Sequence, residues 1–229
     1  MFLEEAMLKL TTFALLLILF GCTGEAEPTQ TPAPTPRPTP TTDETMITIL
    51  ALGDSLTDGF GVDPDMAYPT QLERRLRADG YNVAVTNAGI SGETTSGAVS
   101  RLDWMLQTEP DIVIIETGGN DGLRGIDLSV TRQNIDALAA AFTEQGAVVV
   151  IAGMQIISNL GDEYASEFRA IYPEAAEAHN AILIPFFLEG VAGDPELNQA
   201  DFIHPTAEGY TVIVENIYPQ IVEAVETVQ

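Results

Sequence analysis

Residues 47–61 read "ITILALGDSLTDGFG", and the break inside that stretch decides the fold. Residues 47–52 form an apolar run rich in isoleucine and leucine, the pattern of a strand buried on both faces. The Gly53-Asp54-Ser55 after it is too glycine-rich to extend a strand and too polar to start a core helix. In an open parallel sheet, residues just past the carboxyl ends of the strands are the ones that meet ligands. Three readings of this turn stay open on its own residues: a phosphate cradle, an exposed nucleophile, or an ordinary turn.

The same grammar repeats along the chain. Strand-like runs fall at residues 82–86, 112–116, 148–152 and 182–186. Helical patterns lie between them. Tyr68, Leu72 and Leu76 recur on one face, with Pro69 early and Gly80 just past the end. Ala98, Leu102, Met105 and Leu106 form a second stripe, stopped by Pro110, and Ile135, Leu138 and Phe142 a third, capped by Gly146. Tyr210, Ile213, Val214 and Ile217 begin a last helix, in which Pro219 predicts a kink. Strand–helix alternation implies parallel strands joined by right-handed crossovers. The expected fold is α/β: a three-layer helix–sheet–helix sandwich with a parallel sheet of about five strands, one domain over residues 46–229. Its strand ends, and hence its chemistry, are expected at residues 53–57, 87–92, 117–121 and 153–159.

Charge removes several function classes. Thirty-four acids face nine bases, for a formal net charge of −25. Such a surface repels phosphate backbones, so nucleic acid is excluded as a partner. A phosphate-binding P-loop needs a lysine, and the one lysine of the chain is Lys9, far upstream. Gly53, Gly59 and Gly61 do not have the dinucleotide-binding spacing, and Asp54 and Asp58 would repel a pyrophosphate. The phosphate reading fails.

The nucleophile reading needs a base that works near neutral pH, and the sequence offers His179 and His204. Asp201 stands three residues before His204 in "DFIHP", close enough in a tight turn to hold Nδ1 and fix the tautomer. His179, in "EAAEAHNAILIP" before a strand, reads as a solvated or capping residue at a helix end. Acyl transfer also needs donors for a developing oxyanion. The Ser55 backbone N–H, Gly89 in "NAGISGE" and the Asn120 amide in "GGND" are candidates, and all sit at strand ends of one sheet.

Taken in order, "GDSLTDGFG", "NAGISGETT", "GGND" and "DFIHP" resemble the four blocks of the SGNH (GDSL) hydrolases, a likeness covering residues 46–229. "IPFFLEGVAGDPELNQAD", residues 184–201, further resembles the bacterial arylesterase, acyl-CoA thioesterase and lysophospholipase branch. The resemblance implies that Ser55 is the nucleophile, His204 the base and Asp201 its orienter. The Ser55 N–H, the Gly89 N–H and the Asn120 side chain would form the oxyanion hole. It implies no metal and no cofactor, and gives Asp54 and Asp121 structural hydrogen-bonding work. The G-x-S-x-G elbow of α/β-hydrolases is absent, because Thr57 stands where its second glycine would be. Two stretches depart from the family pattern. Ile156, Ile157 and Ser158 stand where relatives tend to have prolines, and Phe202 replaces a small residue before Ile-His-Pro. Both are expected to line the acyl pocket.

Upstream, Lys9 precedes an apolar core at residues 13–20, too short to span a bilayer but of the size of a secretory signal. Residues 1–21 are read as a lipoprotein-type signal peptide, with Met7 as an alternative start. "LFGC" resembles a lipobox ending in Cys22, the sole cysteine, which would be acylated and tether the protein to a membrane. Residues 23–45 hold six prolines alternating mostly with Thr and Ala, a linker that could reach roughly 70 Å. The expectation is an extracytoplasmic, membrane-anchored bacterial lipoprotein. It would hydrolyse small acyl esters or thioesters through an acyl-serine intermediate. A carbohydrate esterase that deacetylates cell-envelope polysaccharide, or a non-catalytic envelope-binding lipoprotein, are the alternative readings.

Overall fold

The structure, a computed structural model, describes residues 45–156 and 161–229. The expected leader, Cys22, the linker up to residue 44, and Ile157, Ser158 and Asn159 therefore lie outside the described residues.

Five strands form one parallel sheet: β1 (Ile47–Gly53), β2 (Val83–Gly89), β3 (Ile112–Glu116), β4 (Val148–Ala152) and β5 (Ile182–Ile184). Their order across the sheet is β2-β1-β3-β4-β5. The chain steps one way from β1 to β2, then crosses back past β1 to reach β3. With right-handed crossovers, that reversal sends the connecting helices to opposite faces and leaves a crevice at the carboxyl ends of β1 and β3. The helices are α1 (Ser55–Asp58), α2 (Tyr68–Ala78), α3 (Thr95–Ser100), α4 (Leu102–Leu106), α5 (Gly119–Arg124), α6 (Leu128–Gln145), α7 (Asp162–His179) and α8 (Ala207–Val228). α2 packs on α8, while α3, α4 and α7 pack on α6. β3 is buried along its whole length, as a strand covered by helices on both faces must be.

Local deviations from expectation have local causes. The second helical stripe is broken at Arg101 into α3 and α4, where the guanidinium pairs with the Glu93 carboxylate and donates to the Ala88 carbonyl at 2.7 Å. β5 ends at Ile184 rather than at residue 186, because Pro185 has no N–H to continue the ladder. β2 runs on to Gly89, in register with Gly53. α8 continues past Pro219 to Val228. The short helices α1 and α5, each a turn or so after a strand, are not marked by any apolar periodicity.

Candidate active site

The ladder aligns three strand ends. Gly53 of β1 lies opposite Gly89 of β2 on one side and Glu116 of β3 on the other. The residues just past each of these positions are therefore brought to one edge. Gly53 is obligatory there, since a Cβ would come within 2.0 Å of Thr57 Oγ1 and 2.5 Å of the Glu116 carbonyl oxygen. Gly89 meets the same constraint: a Cβ would lie 2.1 Å from the Asp58 backbone nitrogen. Both glycines let α1 fold back hard against the sheet.

The turn that carries Ser55 is built around a buried acid. Asp54 caps α1, its Oδ1 accepting the Leu56 N–H at 3.0 Å. Ser55 is thereby the first residue of the helix, where backbone N–H groups have no intrahelical partner. The other Asp54 oxygen accepts Asn120 Nδ2 at 3.1 Å. An amide nitrogen has two hydrogens, so this bond orients Asn120 and leaves one hydrogen to donate elsewhere. Arg124 Nη2 holds the opposite end of the same amide, 3.4 Å from Asn120 Oδ1, and donates to the Gly92 carbonyl at 2.9 Å.

Burial raises the Asp54 carboxyl from 3.8 to about 6, against the lowering effect of its Leu56 and Asn120 bonds. Beneath it, Glu116 is fully buried and held well above the ordinary carboxylate range, first by desolvation and then by the charge of Asp54. Glu116 accepts the Thr57 hydroxyl at 2.7 Å, while its other oxygen has no hydrogen-bond partner. Thr57 thus stitches α1 to β3 at the position an α/β-hydrolase elbow leaves to glycine. Asp121 is likewise spoken for, accepting the Thr95 N–H at 2.9 Å and the Thr95 hydroxyl at 2.6 Å.

The loop before α8 carries the candidate base, His204. His204 Nε2 lies 2.9 Å from Ser55 Oγ, and His204 Nδ1 lies 2.7 Å from Asp201 Oδ2. The Asp201 Oδ1 accepts the backbone N–H groups of Ile203 and His204, each at 3.0 Å. These bonds, the imidazole's first, push the Asp201 carboxyl down to about 2. An ionised carboxylate only accepts, so Nδ1 carries the imidazole proton, Nε2 offers a lone pair, and the Ser55 hydroxyl donates to it. Phe60, just past α1, tilts its ring over the imidazole with centroids 4.6 Å apart. Gln199 ties the two segments together: its Nε2 donates to the carbonyls of Phe60 (2.7 Å) and Pro205 (3.0 Å), and its backbone N–H to that of His204 (2.7 Å).

The structure thus joins Ser55, His204 and Asp201 by hydrogen bonds, ties Asn120 to Asp54 next to Ser55, and sets Gly89 beside α1. The Gly89 N–H is engaged by Asn87 Oδ1 at 2.9 Å, so an oxyanion would have to compete for that hydrogen. His179 is elsewhere, on the last turn of α7, with Nε2 2.7 Å from Asp136 Oδ1 of α6. Sequence reasoning did not single out Glu116, Phe60, Gln199 or Asn87. A signal existed for Glu116, a lone acid closing the run "IVIIE". None existed for the others, whose roles depend on contacts across the chain.

Phe202 is one of three described non-glycine residues with positive φ, at +58°. The others are Glu109, before Pro110, and Asn180, a helix cap of a residue type that tolerates it. For a bulky side chain the left-handed region costs roughly 1–2 kcal/mol.

Comparison with known proteins places the chain in a family. A family model described as GDSL-like lipase/acylhydrolase matches residues 51–212. Esterase TesA of Pseudomonas aeruginosa is 39% identical over 175 residues, 76% of this chain and 87% of that protein. An arylesterase of Vibrio mimicus is 38% identical over 176 residues, 76% and 88% of the two chains. The crystal structure of TesA superposes with a TM-score of 0.75 at 38% identity, covering 77% of this chain and 99% of the other. With a family model matching residues 51–212 and relatives of this similarity, the chain belongs to the GDSL-like lipase/acylhydrolase family.

Proposed function

We propose that the chain is a serine esterase and thioesterase for small acyl substrates, with Ser55, His204 and Asp201 as its catalytic residues. One observation carries the reading: the continuous relay from Ser55 Oγ through both imidazole nitrogens to Asp201, at 2.9 and 2.7 Å. Ser55 Oγ attacks the substrate carbonyl while Nε2 takes its proton. The Asp201 carboxylate stabilises the imidazolium that forms. Negative charge building on the carbonyl oxygen is met by the Ser55 N–H, the second Asn120 Nδ2 hydrogen and the Gly89 N–H. His204 returns the proton to the departing alkoxide or thiolate as the bond to the acyl carbon breaks. Water, activated by the same nitrogen, then releases the acid from the acyl-serine. The names of the relatives, an esterase and an arylesterase, support ester substrates.

The test is labelling with a fluorophosphonate probe beside hydrolysis of p-nitrophenyl esters. Wild-type protein should be labelled and active, and Ser55→Ala neither. Equal labelling of the variant, or activity confined to acetylated polysaccharide, would overturn the reading.

The apolar segment at residues 13–20 followed by Cys22 supports a second proposal, an extracytoplasmic protein tethered by an acylated Cys22 through the proline-rich linker. Metabolic labelling with an alkynyl fatty acid should mark the full chain and fail on Cys22→Ala. Labelling that survives that substitution would refute it.

A further inference from the structure

The turn that carries the base is tightly specified. The Phe202 N–H donates to the Gln199 carbonyl at 2.9 Å, and the Gln199 N–H to the His204 carbonyl at 2.7 Å. Inside that closure one Asp201 oxygen receives two successive backbone N–H groups and the other receives the imidazole. The chain bends sharply after Asp201 to achieve this, and residue 202 takes φ +58°. Glycine satisfies that bend without strain. Here the position holds phenylalanine, one of the residues least suited to it.

Core packing does not repay the strain, because Phe202 is 62% exposed. Strain retained at a site without a packing reward points to work done when a ligand is present. The ring also has apolar company. Ile203 is 44% exposed, Phe60 leans on the imidazole at 49%, and Ile90 follows Gly89 at 48%. Each lies within two residues of His204 or Gly89, or touches His204 directly. Large apolar side chains gathered around a hydrolytic centre gain from burial only when something apolar covers them.

We infer that Phe202 is a specificity-determining residue whose ring packs on the apolar part of the acyl group esterified at Ser55. This rests on the esterase reading. Apolar substrate mass completes the surface that Phe202, Ile203 and Phe60 leave uncovered, so longer acyl chains are favoured over acetate. The occupant is substrate rather than a membrane: Phe202 stands two residues before His204, in the turn that holds the imidazole against Ser55, and a chain of net charge −25 is repelled by anionic lipid surfaces.

The experiment compares kcat/KM for p-nitrophenyl octanoate and acetate in wild type, Phe202→Gly, Phe202→Ala and Phe202→Leu. The octanoate-to-acetate ratio should fall about tenfold in both Phe202→Gly and Phe202→Ala, which equals a lost contact of roughly 1.4 kcal/mol. Phe202→Leu should restore most of it. Thermal melting separates ring from backbone, because Phe202→Gly relieves the strain and should melt a few degrees above Phe202→Ala, while both lose the ratio alike. A folded Phe202→Gly with the wild-type ratio would overturn the inference, and so would acetate and octanoate activities falling in parallel. An unchanged ratio with lost binding to phosphatidylcholine vesicles would assign the ring to a membrane and overturn it too. Wild-type protein inert towards every ester would instead sink the esterase reading.

Discussion

Asp54→Asn should reverse part of this protein's response to pH. Burial holds the Asp54 carboxyl at about 6, against an ordinary 3.8. The folded value is the higher, so between pH 3.8 and about 6 the folded protein holds this proton and the unfolded chain does not. The contribution is present in full below 3.8, is lost as pH rises through that window, and levels off above about 6. At roughly 1.4 kcal/mol per pH unit the loss is about 3 kcal/mol. For a domain of this size that is on the order of 6–12 °C in Tm. Asp201 has the opposite sign, but its contribution is lost only as pH falls from 3.8 to about 2, below the window. Acidification also relieves the repulsion of a chain carrying −25, in the same direction as Asp54, so the wild-type curve does not isolate the group. The difference between wild type and Asp54→Asn does. Losing an acceptor for Asn120 Nδ2 offsets that difference by a constant and leaves its slope intact. Unfolding by urea at intervals from pH 4 to 7 should show the variant gaining about 3 kcal/mol on wild type, most of it below pH 6. A flat difference across that range would refute the claim that burial governs this carboxyl.

Three further outcomes rest on the site's geometry. Asp201→Asn should lower kcat on p-nitrophenyl butyrate by about 10³–10⁴ with little change in KM, since the amide no longer fixes the Nδ1–H tautomer; a loss under tenfold in steady-state kinetics would count against the relay. Asn120→Ala should lower kcat about 10²–10³ while Tm moves little, and an effect on KM alone would remove Asn120 from the oxyanion hole. Gly89→Ala sets a Cβ 2.1 Å from the Asp58 backbone nitrogen, so the strand end or α1 must shift. Melting should reveal a loss of about 1–3 kcal/mol, and an unchanged Tm would refute the close approach.

The strands were readable because burial on both faces leaves an unbroken apolar run, as in residues 112–116 and 148–152, which match β3 and β4 residue for residue. The cluster residues were readable for a different reason. Ser55 and Asn120 fall just past strands, Gly89 ends one, and Asp201 and His204 are close in sequence, so a parallel sheet needs no further information to gather the first three. The Asp201–His204 pair is local and is settled by one turn. What escaped depended on contacts between distant segments. Glu116 is an acid in an interior from which acids are normally excluded, and nothing in "IVIIE" tells whether its last residue ends inside or outside. At the split between α3 and α4, Arg101 reaches Glu93 and Ala88, a pairing no helical periodicity encodes.

The cluster joins two units of different character. Ser55 and Asn120 are fixed to the sheet through buried groups: Asp54 caps the helix that Ser55 begins and accepts from Asn120, and Thr57 pins α1 to Glu116. Asp201 and His204 belong to a turn that closes on itself, with its carboxylate more than one-third exposed. The bond from Ser55 to His204 spans 149 residues and carries little of the burden of aligning them. A single hydroxyl–imidazole bond contributes about 1 kcal/mol net, far less than fixing a surface turn against a sheet edge requires. Gln199 and Phe60 supply the remainder. The Gln199 amide bridges carbonyls on both units, its side chain fills space that a Cβ on Gly61 would occupy at 2.2 Å, and the Phe60 ring covers the imidazole. Alignment of His204 is thus set by residues outside the Ser55–His204–Asp201 relay. The precision of the site therefore depends as much on the seam between turn and sheet as on the four residues its chemistry names.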